Sequence, residues 1–140
     1  LIISEGEQRA RLEQLIKNLK VENKVFLLGH ITDAARLLTA FDLALLPSVK
    51  EGLPYFILEA GQAGLPTLAT RVGGIGEIIA DHASGRLVAP SDSGALTQAL
   101  VELASDRQTS RIYGEKLRET IEKQFSSQAM VESTIKVYNA

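Results

Sequence analysis

The stretch that decides the fold is Leu43-Ala44-Leu45-Leu46-Pro47-Ser48-Val49-Lys50-Glu51-Gly52-Leu53-Pro54-Tyr55-Phe56-Ile57-Leu58-Glu59. Its apolar first residues have the length of a strand, and Gly52 and Pro54 then punctuate a loop. Proline suits the start of a helix because its missing N–H would be unpaired there. The stretch therefore predicts a strand over 43–46, a loop, and a helix over 54–63.

Two carboxylates flank the start of that helix. Glu51 lies in the loop, and Glu59 lies about a turn and a half into the helix, roughly 8 Å further along its axis. Between them, the first turn presents backbone N–H groups that can bind phosphate. The arrangement suits a nucleotide sugar, which has hydroxyls at both ends and an anion in the middle. Acidic residues also complement the helix dipole without any function, and the two glutamates alone favour that structural explanation.

The rest of the chain alternates short apolar runs with segments of helical periodicity. Runs that are apolar throughout indicate strands buried on both faces, which occur in parallel sheets covered by helices. We therefore predict an α/β fold, a Rossmann-like doubly wound parallel sheet followed by C-terminal helices. The predicted strands are 1–3, 25–28, 43–46, 66–69 and 86–88. The predicted helices are 7–20, 34–41 (capped by Asp33), 54–63, 74–80, 95–104, 107–123 and 127–139.

Composition excludes several classes of protein. The chain has 140 residues, 45% hydrophobic and 23% charged, as in an ordinary globular domain. Its net charge of −2 offers no basic surface for nucleic acid, and no cysteine is present. We expect one nucleotide-sugar-binding domain over 1–140 and a cytoplasmic location. Because the chain opens directly on the apolar Leu1-Ile2-Ile3 without methionine, we expect a fragment that lacks its amino-terminal part.

Ligands of doubly wound sheets bind beyond the carboxyl ends of the strands, at the topological switch point. Three loops follow predicted strands: Gly29-His30-Ile31, residues 48–54 and residues 70–74. We expect all three loops to meet at one edge of the sheet. For Glu51 and Glu59, this placement favours a ligand-binding role over the purely structural explanation.

Residue motifs along the whole chain resemble the group 1 (family 4) retaining glycosyltransferases. The central motif is Pro47-Ser48-x-x-Glu51-Gly52-Leu53-Pro54-x-x-x-Leu58-Glu59-Ala60. Further matches are Glu7-x-Arg9-x-x-Leu12-Glu13, Phe26-Leu27-Leu28-Gly29-His30, Gly64-x-Pro66, Ala69-Thr70, Val72-Gly73-Gly74, Glu77, Gly85-Arg86-Leu87-Val88, Pro90-x-Asp92 and Ala95-Leu96. The resemblance implies the C-terminal, donor-binding half of a GT-B enzyme. The N-terminal acceptor domain and the first strand region would then be absent.

The resemblance also implies a role for each matching position. Glu51, the catalytic candidate, would hold hydroxyls of the donor sugar, and Glu59 would accept hydrogen bonds from the ribose. Backbone N–H groups around Gly52, Leu53 and Tyr55 would bind the pyrophosphate. Residues that would line the base or approach the donor closely are Gly29, His30, Ile31, Gly73 and Gly74.

The same resemblance implies the reaction and its partners. The substrate would be a UDP- or GDP-sugar, and the intact enzyme would transfer the hexosyl group with retention and without a bound metal or other cofactor. The acceptor would be a glycan or a lipid-linked sugar of polysaccharide biosynthesis. The N-terminal domain would complete the enzyme and would bring it to the membrane surface. The isolated domain is expected to be inactive.

Some positions limit this interpretation. The phosphate-neutralising Arg and Lys of the family are expected upstream of Leu1, and Lys50 and Arg71 are weak substitutes. Tyr55 stands where the family often has a smaller residue. Glu77 is predicted to make buried hydrogen bonds that shape the loop at Gly73, and His82 to lie in a polar turn. Two alternatives remain open, a GT-B nucleotide-sugar epimerase and a non-catalytic nucleotide-binding or interaction module.

Overall fold

The structure is a computed structural model that describes residues 1–139. The chain divides into two compact units, the first spanning Leu1–Arg36 and the second beginning at Leu37. Each unit contains a parallel sheet and at least one α-helix.

The first unit contains β1 (Ile2–Ile3), α1 (Arg9–Asn18) and β2 (Leu27–Gly29). The two strands are parallel, and Ile2 lies opposite Leu27. The guanidinium of Arg9 donates to the carbonyl oxygen of Leu27 at 3.3 Å, which ties the start of α1 to β2. The helix α1 is the crossover between the two strands. Parallel neighbours need a crossover connection, because a tight turn can join only antiparallel strands.

The second unit contains a three-stranded parallel sheet in the order β3-β4-β5. The strands are β3 (Ala44–Leu46), β4 (Thr67–Thr70) and β5 (Arg86–Val88). The helices are α2 (Tyr55–Gln62), α3 (Ile75–Ile78), α4 (Ser93–Ser105), α5 (Arg107–Gln124) and α6 (Ser127–Tyr138). A 3-10 helix, Ala34–Ala40, precedes β3 and includes the boundary between the units.

Helices cover both faces of this sheet. Every residue of β4 is buried, and successive strand residues point to opposite faces. Leu68 belongs to an apolar cluster with residues of β5 and α4, namely Val88, Ala99 and Leu103. Ala69 belongs to another cluster with residues of α2, α3, β5 and α5, including Ile57, Ile75, Leu87 and Leu117. The predicted α/β fold with a doubly wound, Rossmann-like parallel sheet is thereby confirmed.

The segment 34–41 is helical as predicted, but it forms a 3-10 helix and lacks the predicted cap. Within residues 1–139 the Asp33 side chain accepts no hydrogen bond from a backbone N–H of this helix, and its backbone carbonyl accepts from the N–H of Arg36 at 3.0 Å. The backbone of Asp33 is left-handed, with φ +56°. A side-chain cap normally requires extended backbone at the capping residue, so this conformation explains why the predicted cap is missing.

The carboxyl end of α2 is closed by a Schellman motif. The N–H of Leu65 donates to the carbonyl of Ala60 at 3.0 Å, and the N–H of Gly64 donates to Gly61 at 2.9 Å. Gly64 has φ +73°, a conformation that glycine adopts without steric cost. The motif turns the chain directly into β4 and thereby sets the position of α2 against the sheet.

The last helix, α6, has no buried residue. Several of its apolar side chains are exposed, among them Met130, Ile135 and Tyr138. Within residues 1–139, none of the helices combines the length and the apolar character needed to cross a membrane.

The beginning of α5 leads to a prediction about acid stability. The Asp106 carboxylate accepts from the Thr109 hydroxyl at 2.6 Å and from the Thr109 N–H at 3.0 Å, and these bonds lower the pKa of Asp106. A carboxyl group whose folded pKa lies below its unfolded pKa stabilises the fold above the unfolded value, and loses this effect as the pH falls through the folded value. Asp106→Ala should therefore lower the melting temperature near neutral pH, and the deficit should shrink below about pH 4.

Thermal unfolding followed by circular dichroism across this pH range measures the deficit. Glu115→Ala, on the exposed side of the same helix, is the matched control and should show a smaller deficit. A deficit for Asp106→Ala that stays constant from neutral to strongly acidic pH would contradict the capping role.

Candidate functional site

Two of the predicted loops meet at the carboxyl ends of β3 and β4. The N–H of Gly74 donates to the carbonyl oxygen of Gly52 at 2.9 Å. The Thr70 hydroxyl, at the end of β4, donates to the carbonyl oxygen of Ser48 in the loop after β3. Because β3 and β4 are parallel neighbours, their carboxyl ends share one edge of the sheet. The prediction that the loops 48–54 and 70–74 come together is confirmed.

Gly73 lies directly against the backbone of the first loop. Its φ is +52°, and a Cβ atom placed on it would lie 2.1 Å from the carbonyl oxygen of Glu51 and 2.7 Å from that of Gly52. Glycine is therefore needed both for its backbone conformation and for this close approach. The contact fixes where the Glu51–Gly52 peptide lies.

Glu51 is half-buried in its loop. The Ser48 hydroxyl donates to Oε1 of Glu51 at 2.7 Å. Within the described chain, Oε2 of Glu51 has no hydrogen-bond partner, and Glu51 forms no ion pair. A carboxylate oxygen can accept two hydrogen bonds, so Glu51 retains most of its accepting capacity for a ligand.

The amino end of α2 exposes unpaired donors. Pro54, the predicted first residue of the helix, stands at the N-cap with extended backbone (φ −74°, ψ 122°), and α2 begins one residue later at Tyr55. No side chain caps the helix, and in residues 1–139 the N–H groups of Tyr55 and Phe56 have no hydrogen-bond acceptor. The Tyr55 side chain is 80% exposed, so it does not anchor the helix in the core. Free N–H groups at a helix start bind anions.

Glu59 lies on α2, just over one turn after Tyr55. Its side chain is exposed, and it takes part in no hydrogen bond or ion pair in the part of the chain that the structure describes. Leu53, in the loop before α2, is 47% exposed, and Gly52 beside it is also exposed. These residues therefore lie at the surface beside the free N–H groups.

The third predicted loop belongs to the first unit. Gly29 ends β2 and is buried, with φ +73°. His30 is exposed and Ile31 is half-buried. Their contribution to a common site with Glu51 stays a prediction.

The charged residues near the loops differ in their surroundings. Arg71 pairs with Asp81 at 2.8 Å, so its charge is compensated by a neighbouring carboxylate. Lys50 is exposed and forms no ion pair within residues 1–139. Glu77 is exposed, and the prediction that it makes buried hydrogen bonds is wrong. Ile75 and Ile78 occupy the buried face of α3 instead, so Glu77 is turned to solvent.

Neither a metal-binding cluster nor the main cavity coincides with the predicted site in the part of the chain that the structure describes. Among the described residues, no group of three or more His, Asp and Glu side chains could hold a metal ion. A cavity of about 550 Å³ lies at the opposite end of the sheet, where its lining includes Leu43 just before β3, Pro66 just before β4, and Arg107. None of the predicted donor-site residues lines that cavity.

Sequence reasoning assigned no role to Ser48 and Thr70. Ser48 stands only three residues before Glu51, so the two side chains belong to the same short loop. That spacing was the available signal for Ser48. No comparable signal existed for Thr70, because its bond to Ser48 joins residues 22 positions apart.

Comparison with known proteins places these residues in a family. The family model described as "Glycosyl transferases group 1" matches residues 1–106. N-acetyl-alpha-D-glucosaminyl L-malate synthase of Bacillus anthracis is 36% identical over 138 residues, which is 99% of this chain and 36% of that protein. The chain thus spans about a third of the length of this relative.

Two solved structures have the same fold. Sucrose-phosphate synthase from Thermosynechococcus elongatus superposes with a TM-score of 0.87 at 27% identity, over 96% of this chain and 34% of that one. Anabaena Alr3699/HepE in complex with UDP-glucose superposes with a TM-score of 0.89 at 25% identity, over 98% of this chain and 39% of that one. With the family match over most of its length and the Rossmann-like fold of a GT-B C-terminal half, this chain belongs to the group 1 glycosyl transferases.

Proposed function

We propose that this chain binds the nucleotide diphosphate sugar of a glycosyltransferase at the carboxyl ends of β3 and β4. The observation that carries the proposal is the contact between the two loops, where Gly74 bonds to Gly52 and Gly73 lies against Glu51. This contact brings a carboxylate and a set of unpaired N–H groups to one edge of a parallel sheet, where such folds bind ligands. The solved relative that contains UDP-glucose supports the same class of ligand.

The pyrophosphate is proposed to lie at the start of α2. The N–H groups of Tyr55 and Phe56 are free to donate to phosphate oxygens, and those of Gly52 and Leu53 precede them in the loop. The aligned peptide dipoles of α2 add partial positive charge at its amino end. Such fixed donors also stabilise the diphosphate as it leaves during transfer, because they need no reorganisation when negative charge develops.

The two glutamates are proposed to bind the two ends of the donor. Glu51 accepts hydrogen bonds from hydroxyls of the sugar, using the oxygen positions that Ser48 leaves open. Glu59, exposed on α2, accepts hydrogen bonds from the ribose hydroxyls. Each carboxylate can accept two hydroxyl donors at once, which suits a vicinal diol. Gly29, His30 and Ile31 are proposed to contact the base.

In the intact enzyme, the hexosyl group is proposed to pass to a glycan or lipid-linked acceptor with retention of configuration. No metal or other cofactor is part of the proposal, since amides and cations would stabilise the leaving diphosphate. The proposed location is the cytoplasm, where nucleotide sugars are available. An N-terminal domain is proposed to bind the acceptor and to bring the enzyme to the membrane surface.

The first experiment is an amide NMR titration of the chain with UDP-glucose, GDP-mannose, ADP-glucose and the matching free diphosphates. Donor binding should shift the amides of 51–59 and of Gly73 and Gly74, and the strongest ligand identifies the base. Amides of 29–31 should shift as well if that loop contacts the base. If no ligand shifts them at millimolar concentration, the titration is repeated on the intact protein, and silence there overturns the proposal.

Removing either carboxylate should weaken donor binding. Glu51→Ala and Glu59→Ala each remove a charged hydrogen-bond acceptor, which should cost about 1.5–3 kcal/mol, or roughly 10- to 100-fold in affinity. Calorimetry with the donor found in the titration measures the affinity, and transfer assays on the intact enzyme measure the rate. The control Glu115→Ala removes an exposed glutamate on α5 and should leave both unchanged. Unchanged affinity and rate in both site variants would contradict the assigned roles.

Two alternative functions can be distinguished from the transferase with the same protein and ligands. A nucleotide-sugar epimerase would convert the donor without any acceptor, so product analysis of donor alone identifies it. A non-catalytic module would bind nucleotide in the titration, yet the intact protein would transfer no sugar to any acceptor. The family match favours the transferase.

A further inference from the structure

We propose that Ser48 and Thr70 are positioning residues for Glu51, and that they set how tightly the sugar part of the donor is held. The inference rests on the proposed function. It assigns roles to two residues that are not themselves expected to touch the donor.

Ser48 acts on the Glu51 side chain. Its hydroxyl donates to Oε1 at 2.7 Å, and both residues are half-buried. A free glutamate side chain samples several rotamers, and ordering it on binding costs free energy. With Oε1 already bonded, the carboxylate is held in one orientation before the donor arrives. Its remaining lone pairs, including both on Oε2, then face a fixed direction.

Thr70 acts on Ser48. It is buried, with 3% of its surface exposed. Its hydroxyl donates to the Ser48 carbonyl oxygen and lies 3.5 Å from that of Leu46. A single buried hydroxyl therefore holds the chain as it leaves β3 against the end of β4. Ser48 can orient Glu51 only because its own backbone is fixed in this way.

The loop after β4 completes the arrangement from the other side of Glu51. The N–H of Gly74 donates to the Gly52 carbonyl at 2.9 Å, and the Glu51 carbonyl lies where a Cβ on residue 73 would be, so the two loops are in close contact here. The backbone of Glu51 is thus restrained on both sides and its side chain by Ser48. A hydroxyl that only stabilised the loop would not need to bond to the one carboxylate in it.

The test compares a nucleotide sugar with its free nucleoside diphosphate. The pair is the one identified in the NMR titration, for example UDP-glucose and UDP. Because Glu51 is assigned to the sugar hydroxyls, Ser48→Ala should weaken binding of the nucleotide sugar about tenfold and leave binding of the diphosphate unchanged. Ser48→Thr keeps a hydroxyl at the same position and should restore most of the affinity.

A double-variant experiment shows whether Ser48 acts through Glu51. In a Glu51→Ala background, Ser48→Ala should cause no further loss of nucleotide-sugar affinity, because its effect requires the carboxylate. A full additional tenfold loss would overturn the inference. Equal weakening of sugar and diphosphate by Ser48→Ala would also overturn it, because a general loss of loop structure affects both ligands.

Thr70 has a matched control on the same strand. Thr70→Val and Thr67→Val each remove one buried hydroxyl from β4 that donates to a backbone carbonyl, but Thr67 bonds to Leu65 at 3.1 Å at the opposite end of the strand. Both variants should lower the melting temperature. Only Thr70→Val should weaken nucleotide-sugar binding. Equal losses of nucleotide-sugar affinity in both variants would overturn the positioning role of Thr70.

The inference and the proposed function fail in different ways. If Glu51→Ala itself leaves nucleotide-sugar binding unchanged, the assigned role of Glu51 fails and the inference fails with it. If Glu51→Ala weakens binding while Ser48→Ala and Thr70→Val do not, only the positioning roles are overturned.

Discussion

Gly73→Ala should abolish detectable donor binding and should lower the free energy of unfolding by about 3 kcal/mol or more. Alanine at this position must adopt φ +52°, and its Cβ would lie 2.1 Å from the carbonyl oxygen of Glu51 and 2.7 Å from that of Gly52. These neighbours are backbone atoms, so no side-chain rotation relieves the overlap. The two loops must separate, which displaces Glu51 and the bond between Gly74 and Gly52.

Gly64→Ala is the matched control for this change. Gly64 has a similar positive φ of +73°, but no atom lies within 4 Å of a Cβ placed on it. The free energy of unfolding of Gly64→Ala should therefore fall only by the cost of the left-handed backbone, about 1–2 kcal/mol. The variant should keep donor binding. Urea unfolding gives the stabilities and calorimetry with the nucleotide sugar gives the affinities. Normal donor affinity in Gly73→Ala would show that the contact between the loops is not part of the site.

Gly114→Ala should cause the second large loss, about 3 kcal/mol of stability. Gly114 is buried in α5, where a Cβ would lie 2.0 Å from the carbonyl oxygen of Gly64 and 3.1 Å from the Pro66 nitrogen. Within a helix, glycine to alanine normally stabilises by roughly 0.5–1 kcal/mol. The overlap with the turn between α2 and β4 reverses this sign, because α5 must move away from the turn to accept the methyl group.

Gly76→Ala separates the helix effect from the overlap. Gly76 is exposed in α3, and a Cβ placed on it meets nothing within 4 Å. Its substitution should be neutral or slightly stabilising in the same urea unfolding experiment. A Gly114→Ala variant as stable as Gly76→Ala would contradict the close packing of α5 against Gly64.

Most elements could be predicted because their signals are local. The apolar run at 43–46 became β3 (Ala44–Leu46), and the segment after Pro54 became α2 (Tyr55–Gln62). Arg86–Val88 matches its predicted bounds. The helix at 34–41 formed, as a 3-10 helix, but the Asp33 cap did not, because the left-handed backbone of Asp33 cannot be predicted from an Asp before a helical pattern.

The residues of the candidate site could be predicted, but the partners that surround them could not. Glu51, Gly73 and Gly74 could be named from their motifs, and the rule for parallel sheets placed their loops at one edge. The environments of Glu77 and Arg71 were not predictable. Glu77 was expected to be buried but is exposed, whereas Arg71 has a partner, Asp81, that lies ten positions away.

The sequence by itself determined the α/β class, the parallel strands and the family, because periodicity, turn residues and motif spacing are properties of neighbouring residues. Only the tertiary structure decided which groups hold Glu51 in place. The Thr70 bond to Ser48, the approach of Gly73 to the Glu51 carbonyl and the packing of α5 against Gly64 all join residues that are distant in the chain. Such contacts depend on how β3, β4 and the helices pack together, which no local pattern encodes.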